Sequence, residues 1–290
     1  MAVSNFKNFI PTIWSARLLA NLDKNLVFLN MVNRDYEGEI TAYGDTVKIN
    51  QLGDINIKDY TGADIAAPEE LTSIQQTLVI DQAKYYNFAV KDIDKAQANV
   101  NLIEGSMARA GVAMAGVIDQ DIAALVTQAK IKVGAVGTPI QVGKKDAYDY
   151  LVDLGVKLDE ANISKVGRKI VLPPWYIGLL SKDYRFTRDP KVLQNGVVEG
   201  QVVGNFQILE SNNVLKAASD PTVYQVMAGT TQAISFANQV VETEAYRPEG
   251  NFSDAVKGLN VWGRAVIQPN ALANFVIKPL DETVEETTTP

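Results

Sequence analysis

Two pairs of acidic residues are the candidates for acid–base chemistry in this sequence. Asp119 and Asp121 lie near the end of a predicted helix, and Glu242 and Glu244 lie on a predicted strand. Residues two apart point to different sides of a helix but to the same side of a strand. Glu242 and Glu244 are therefore the pair that could share a site, although solvated surface carboxylates are far more common than catalytic ones.

Histidine and cysteine are both absent from the 290 residues. Their absence removes the commonest general base, the imidazole-dependent triads, thiolate chemistry, disulfides and cysteine zinc sites. The remaining chemistry would need carboxylate pairs, a lysine Schiff base, a tyrosine acid, or oxygen ligands for magnesium or calcium. Few enzyme mechanisms fit these limits, so we predict no enzyme, no cofactor, and no catalytic, cofactor-binding or metal-binding residue.

A glycine-rich stretch at residues 137–145 resembles a phosphate-binding loop only superficially. The motif requires glycine at position 138 and a hydroxyl residue at position 145, where the sequence has Thr138 and Lys145. The backbone cradle and the magnesium ligand of such a loop would both be missing. We therefore expect a turn before a helix here.

Composition indicates a packed globular protein without strong affinity for polyanions. Hydrophobic residues make up 47% and charged residues 21% of the chain, and the formal net charge is -7. A negative mean field repels nucleic acid and anionic lipid. We identify no apolar stretch near the 18 residues of a membrane span and no signal-peptide core in residues 1–7, so we expect a soluble protein that stays where it is made.

The order of the predicted elements is more informative than the candidate chemistry. Residues 44–52 alternate with period two and predict a strand, with Val47 and Ile49 on its buried face. Residues 77–81, running on to 85–90, are rich in β-branched and aromatic side chains and predict the second arm of a hairpin.

The connection between these arms, residues 53–76, is unusually long. More than about 20 residues far exceeds an ordinary hairpin loop, and its interspersed apolar residues argue against plain disorder. We interpret the unit as an extended hairpin whose apolar side needs a partner surface. The alternative is an ordinary surface loop on a monomer.

One long helix is predicted to follow, from Asp92 or Asp94 as N-cap to Lys132, because apolar residues recur every three or four positions. A helix of this extent would be about 60 Å long and would form a backbone for the subunit. Such a stripe is typical of core packing. Its members are Val100, Ile103, Met107, Ala110, Met114, Val117, Ile118, Ile122 and Leu125.

The remaining chain predicts a mixture of helices and strands. An amphipathic helix is expected from Thr12 as N-cap to Asn33, a domain boundary at 133–139, a helix at 144–158 and a helical turn at 175–180. The predicted strands are 169–172, 204–209, 224–228, 233–236, 258–268 and 273–277.

Most of the sequence resembles the major capsid proteins of tailed bacteriophages. The resemblance is strongest over residues 10–130 and weakest over 140–240. It is carried by VNRDYEGEI at 32–40, GDTV at 44–47, DYT at 59–61, LVID at 78–81, VKDIDKAQ at 90–97, and GLNVWG at 258–263 with Pro269.

This resemblance implies an α+β chain with the Hong Kong 97-type capsid fold. In that fold an N-terminal arm and an extended β-hairpin loop overlie adjacent subunits, a peripheral domain is built on a long spine helix, and an axial α/β domain meets its copies. The implied divisions are 1–43 for the N-terminal arm and helix, 44–90 for the extended hairpin loop, 91–133 with 241–277 for the peripheral domain, 134–240 for the axial domain, and 278–290 for an acidic C-terminal tail.

The implied function is self-assembly into the pentamers and hexamers of an icosahedral phage head that encloses double-stranded DNA. The implied partners are other copies of the chain, a separate scaffolding protein and a portal, with no membrane and no strong sequence-specific DNA binding. The implied location is the virion, assembled in the bacterial host cytoplasm. The alternatives are an encapsulin-like nanocompartment shell and, in another class, a carboxylate enzyme centred on Glu242 and Glu244.

Some members of this family cross-link a loop lysine to an asparagine of a neighbouring subunit. Lys58 lies in the corresponding segment. The sequence identifies neither the partner asparagine nor an assisting acid, so cross-linking stays open.

Overall fold

The computed structural model describes most of the chain between residues 26 and 280. The described residues are 26–36, 44–52, 57, 73–91, 102–144, 146–183, 202–203, 205–250 and 253–280. Four expectations from the sequence lie outside them. These are the helix over 12–25, the N-cap at Asp92 or Asp94, most of the hairpin loop, and the acidic tail beyond 280.

The described residues contain both helices and strands, which confirms the α+β class. Among the described residues there are three α-helices: α1 is Leu102–Ala124, α2 is Ala147–Glu160 and α3 is Pro174–Ser181. Short 3-10 helices lie at Phe28–Met31, Leu125–Gln128, Thr231–Ala233 and Pro269–Ala271. Strands β1 to β13 are, in chain order, Thr46–Leu52, Ser73–Val79, Gln82–Lys91, Ile131–Val133, Ile140–Val142, Arg168–Leu172, Val202–Val203, Phe206–Glu210, Leu215–Lys216, Tyr224–Thr230, Ile234–Tyr246, Ser253–Val266 and Leu272–Pro279.

Within the described residues these strands form three sheets. The largest has eight strands in the order β4-β13-β10-β6-β8-β7, with β5 also on β13 and β9 also on β10. It is mixed, because β13 pairs parallel with β4 and β5 but antiparallel with β10. An antiparallel three-stranded sheet has the order β11-β12-β3, and β1 pairs with β2 alone. The predicted division into domains stays a prediction.

The middle of the chain folds much as the sequence predicts. The strands expected at 169–172 and 224–228 are β6 and β10, and the helix expected at 144–158 is α2. The short helical turn is the two-turn helix α3, which begins with Pro174 in its first turn, where the missing proline N–H costs nothing. Apolar side chains from these elements and from α1 form the main core.

Helix α1 confirms the predicted long helix but ends earlier than expected. Its 23 residues span about 35 Å, and a 3-10 turn continues the chain only to Gln128. The prediction that the helix runs to Lys132 is wrong, because Ile131–Val133 pairs with β13 as an edge strand. Val117 is also misplaced in the predicted stripe, since it is 42% exposed while Ile118 and Ile122 are fully buried.

The second arm of the hairpin is two strands and not one continuous arm. β2 pairs with β1, from Thr46 opposite Val79 to Leu52 opposite Ser73. The chain then turns at Ile80–Asp81, and β3 pairs with β12 in a different sheet. The single arm predicted from 77 to 90 is therefore wrong, because two different neighbouring strands satisfy its backbone hydrogen bonds.

The base of the hairpin packs on the chain's own three-stranded sheet. Val47, Ile49, Leu78 and Ile80 are all buried there, in a cluster with three residues of the sheet and its flank. Those residues are Ala237, Val261 and Ile267. The alternation predicted for β1 is confirmed, and the buried side of the arms is covered by the chain's own sheet. The predicted need for a partner surface concerns the connection at 53–76 and stays a prediction.

The segment before β1 is not the end of a long helix. A four-residue 3-10 helix is followed by Asn33, which bridges to Ser235 at the start of β11. The Asn33 N–H donates to the Ile234 carbonyl at 2.8 Å, and the Asn33 carbonyl accepts from the Phe236 N–H at 2.9 Å. The predicted continuation of the helix to Asn33 is therefore wrong, because this backbone adds to a sheet edge.

No apolar stretch near the 18 residues of a membrane span was expected from the sequence, but helix α1 and the 3-10 turn after it form one. Among the described residues, Gly105–Gln128 is long and apolar enough to cross a membrane by length and composition, with a mean hydropathy of 1.4. Half of this apolar stretch is buried inside the fold. That burial is what a core helix of a globular protein shows, and such helices have the same length and composition.

The packing of the hairpin base on β12 can be tested at Gly263. A Cβ at this position would overlap the carbonyl oxygen of Val79, whereas a Cβ at Gly250 would meet no atom within 4 Å. We expect Gly263→Ala to lower the free energy of unfolding by about 1–3 kcal/mol through overpacking. Gly250→Ala is the control and should change it by less than about 0.5 kcal/mol. Equal urea midpoints for the two variants would contradict this packing.

Candidate functional site

Of the predicted glutamate pair, the structure describes only the side chain of Glu244, which lies in an exposed ion pair. Both residues lie on β11 as predicted, but the pairing register with β12 shifts between Val240 and Glu242. Glu244 forms an ion pair with Lys257 at 2.7 Å, and both side chains are about half exposed. The side chain of Glu242 lies outside the described residues. Glu244 therefore behaves as a surface carboxylate with a lysine partner.

The aspartate pair is the more structured of the two. Asp119 and Asp121 point to different sides of α1, as their spacing predicts, and each joins the helix to a different part of the chain. In the part of the chain that the structure describes, no group of three or more acidic residues could hold a metal ion. The two aspartates therefore act separately, as connections between elements.

Asp119 holds the N-terminal segment on α1. Its carboxylate is almost fully buried and accepts hydrogen bonds from the backbone N–H groups of Val27 and Phe28, each at 3.2 Å. These N–H groups lie at the start of a 3-10 helix, where they have no partner within the helix. Burial raises the pKa of Asp119 to about 6, although the hydrogen bonds from Val27, Phe28 and the Asn213 side chain oppose the rise.

Asp121 joins α1 to β12 and to the hinge of the hairpin. One carboxylate oxygen accepts from the indole N–H of Trp262 at 2.8 Å and lies 2.6 Å from Nε of Arg264. The same guanidinium reaches Asp81, in the turn between β2 and β3, through Nη1 at 3.1 Å. Arg264 thus connects the long helix with the point where the hairpin leaves the sheet. We call these four residues the hinge cluster.

Sequence reasoning did not identify the hinge cluster. Its members are 40 or more residues apart except for Trp262 and Arg264, and no local spacing relates them. One signal was available. Trp262 and Arg264 are two residues apart on a predicted strand, so their side chains lie on the same face and can contact one carboxylate. Identifying the carboxylate required the fold.

The outer face of the three-stranded sheet carries a shallow groove of about 410 Å³. Its most exposed large side chain is Tyr85, at 78%. Nearby, Asn87 and Tyr246 exchange two side-chain hydrogen bonds at 3.0 and 3.1 Å. The groove is open and holds an ion pair and an exposed aromatic ring, which suits a protein contact better than a catalytic pocket. Its lining residues are Tyr85, Asn87, Glu244, Lys257, Gly258 and Leu259.

The other residues considered from sequence have simple structural places. The stretch at 137–144 contains a bridge between Ala135 and Thr138 and the short strand β5, followed by the start of α2. Lys144 and Asp146 lie in the expected turn before α2, but the strand β5 within the same stretch was not predicted. Lys58 lies outside the described residues.

The buried carboxylate of Asp119 predicts a specific pH dependence of stability. Because its folded pKa of about 6 lies above its ordinary value of 3.8, the folded chain binds this proton more tightly than the unfolded chain. The tighter proton binding adds to the free energy of unfolding. This added stability is fully present below about pH 4 and is lost as the pH rises through 6. We expect that in Asp119→Asn the free energy of unfolding, measured by urea denaturation, changes less between pH 4 and 6 than in the unmodified protein. Asp146→Asn, at an exposed site, is the control, and an unchanged slope in Asp119→Asn would contradict the assignment.

The hinge cluster predicts unequal roles for its two carboxylates. Asp121→Ala leaves the buried Trp262 N–H without its acceptor and should lower the free energy of unfolding by about 2–3 kcal/mol. Asp81 is half exposed, so Asp81→Ala should cost less than about 1 kcal/mol. Urea unfolding of the two variants side by side measures the difference. Similar losses would show that the cluster does not depend on Asp121.

Comparison of this chain with known proteins gives matches in structure only. No protein-family model matches the sequence, and no curated protein matches it. Among solved structures, a chain from Mycobacterium phage Che8 is 28% identical, with a TM-score of 0.70 over 86% of this chain and 90% of that chain.

Two further structures show how widely the same architecture is shared. The capsid of Ralstonia phage GP4 is 11% identical, with a TM-score of 0.67 over 86% of this chain and 87% of that chain. A virus-like particle from Pyrococcus furiosus is 13% identical, with a TM-score of 0.58 over 95% of this chain and 100% of that chain. Because each likeness spans nearly the whole of both chains, the chain has the major capsid protein fold of tailed bacteriophages.

Proposed function

We infer that this chain is a major capsid protein that assembles with copies of itself into the shell of a bacteriophage head. The observation that carries this inference is the likeness to phage capsid chains along almost their whole length, and not over one domain. A fold by itself does not fix a function. Here the fold belongs to shells, and the described candidate acids Asp119, Asp121 and Glu244 are held in structural contacts.

The finer Hong Kong 97-type description is part of this proposal. In it, residues 1–43 are the arm, 44–90 the extended hairpin, 91–133 with 241–277 the peripheral domain, and 134–240 the axial domain. Three features support it: a two-stranded hairpin stands on a three-stranded sheet, a long helix lies beside that sheet, and a mixed sheet follows. The acidic tail predicted at 278–290 belongs to the same proposal from residue 281 onward, because β13 includes residues 278 and 279.

Assembly would use surfaces other than the buried side of the hairpin arms, because that side is already covered by the chain's own sheet. Repeated heterologous contacts between identical subunits close into rings, here pentamers and hexamers of an icosahedral shell. Several modest interfaces for each subunit can hold a shell together, since hydrophobic burial contributes about 25 cal/mol per Å². A separate scaffolding protein and a portal would complete the assembly.

The charge of the chain suits a container for double-stranded DNA. Its net charge of -7 repels DNA phosphates, so a shell of this chain would enclose the DNA without strong sequence-specific binding. The product would be the capsid of a virion, assembled in the cytoplasm of a bacterial host and not in a membrane.

A nanocompartment shell is the second candidate, and the likeness to the virus-like particle from Pyrococcus furiosus favours it specifically. That likeness covers all of the other chain, but its TM-score is below those of the Che8 and GP4 phage chains. The enzyme alternative loses support because Glu244 is held in an exposed ion pair with Lys257.

Electron microscopy of the purified full-length protein tests the proposed function. We expect closed shells, with DNA inside particles isolated from infected cells. Shells that hold a protein guest and no DNA would favour the nanocompartment, because the two candidates differ in cargo. A stable monomer of about 32 kDa at high concentration would contradict both candidates, since a shell subunit associates by mass action.

A further inference from the structure

The N-terminal segment, residues 26–33, is attached to the fold at its two ends by groups of different kinds. At one end, Asn33 exchanges two backbone hydrogen bonds with β11, at 2.8 and 2.9 Å. At the other end, the N–H groups of Val27 and Phe28 donate to the carboxyl group of Asp119 on α1. Backbone groups do not titrate, whereas a carboxyl group does. The two attachments therefore respond differently to pH.

Asp119 is buried without a counter-charge among the described residues. It is 1% exposed, and its partners are two backbone N–H groups and the side-chain amide of Asn213, all of which are neutral. The segment that faces it, residues 26–33, and the loop at 211–214 contain no charged residue. Ionisation of a carboxyl group buried among neutral donors costs free energy, because these donors replace the lost water only in part.

The lengths of the hydrogen bonds support the same conclusion. Val27 donates to one carboxylate oxygen and Phe28 to the other, and both N···O distances are 3.2 Å. This distance is at the long end of the ordinary range for an N–H donor, whereas hydrogen bonds to ionised groups are shorter than average. Burial therefore outweighs these bonds and raises the pKa of Asp119 to about 6.

The charged groups on the neighbouring elements make other contacts. Lys169 on β6 donates from Nζ to a backbone carbonyl of the segment at 2.7 Å, and Lys216 on β9 lies 5.3 Å from the centre of the Tyr224 ring. Asp121 points to the other side of α1. Lysine side chains ordinarily keep their charge between pH 4 and 8. Asp119 is therefore the group at this contact whose charge changes near neutral pH. The remaining charged residues next to the segment and the loop in sequence are Arg34, Asp35 and Glu210.

We propose that Asp119 is a pH-sensitive latch: residues 26–32 stay docked on α1 while its carboxyl group is protonated, and undock more readily from the Asn33 attachment outward once it is ionised. Undocking returns the ionised carboxylate to water. The sign follows from linkage, because the docked form binds the proton more tightly than the undocked form, so a rise in pH favours undocking. The docked form stays the major one, since undocking also exposes the buried side chains of Phe28 and Met31.

Hydrogen exchange of the full-length protein at pH 5 and pH 7.5 tests the latch. Protection factors, corrected for the pH dependence of intrinsic exchange, report how often residues 26–32 open. With a docked pKa of about 6 and an ordinary value of 3.8 when undocked, opening should increase about tenfold between these two pH values. Asp119→Asn cannot ionise, so we expect its protection factors over the same residues to change by less than about twofold.

A second variant changes the pH at which the latch opens. The Asn213 side chain donates to Asp119 and lowers its pKa, so Asn213→Ala should move the midpoint of the loss of protection to higher pH. A purely structural contact would lose protection in this variant at every pH, without a shift of the midpoint. This measurement also decides the proposal if Asp119→Asn does not fold.

Strand β10, in the interior of the eight-stranded sheet, is the internal reference. Local undocking predicts lower protection for residues 26–32 than for β10 at both pH values. Equal protection would mean that the segment opens only when the whole chain unfolds, which overturns the latch. The same pH dependence in Asp119→Asn as in the unmodified protein, or protection that increases with pH, would overturn it as well.

Discussion

Strand β12 organises the fold around it, because both of its faces are used. Side chains on a strand alternate between two sides, so Trp262 and Val256 face α1 while Val261 and Gly263 face the hairpin. The hairpin comes close enough to touch the β12 backbone at Gly263, where no side chain intervenes. One strand thereby fixes the positions of the long helix and of the hairpin relative to each other.

Charged groups stabilise this arrangement at two places where apolar contacts alone would not determine how the elements are oriented. Arg264 lies between Asp121 and Asp81, so the helix, the strand and the hairpin hinge share one guanidinium. Asp119 is buried and meets two backbone N–H groups, so the N-terminal segment has a defined point of entry. Partly buried charges require such partners, which makes these contacts specific.

Within one subunit, then, the hairpin arms are covered while other apolar surface stays exposed. The exposed surface lies on α1, through Val112 and Val117, and on the outer face of the three-stranded sheet, at Tyr85. A shell subunit needs surfaces of this kind, since its partners must supply the contacts that one copy lacks. The hairpin base differs from these surfaces, because its apolar side is covered within the same subunit.

Local periodicity was enough to predict a mixture of helices and strands, the strand alternation of β1, the existence of the long helix, and strands such as β6 and β10, whereas the α+β class came from the family resemblance. These features depend only on residues that are neighbours in the chain. Periodicity could not predict that residues 77–90 divide between two sheets, that Ile131–Val133 leaves the helix for an edge strand, or that the N-terminal segment adds to β11 at Asn33. Nor could it show that Asp119 and Asp121 connect separate elements, although it correctly placed them on different sides of a helix. Only the folded chain settles these points, because backbone pairing and burial of charge are satisfied by residues far apart in sequence.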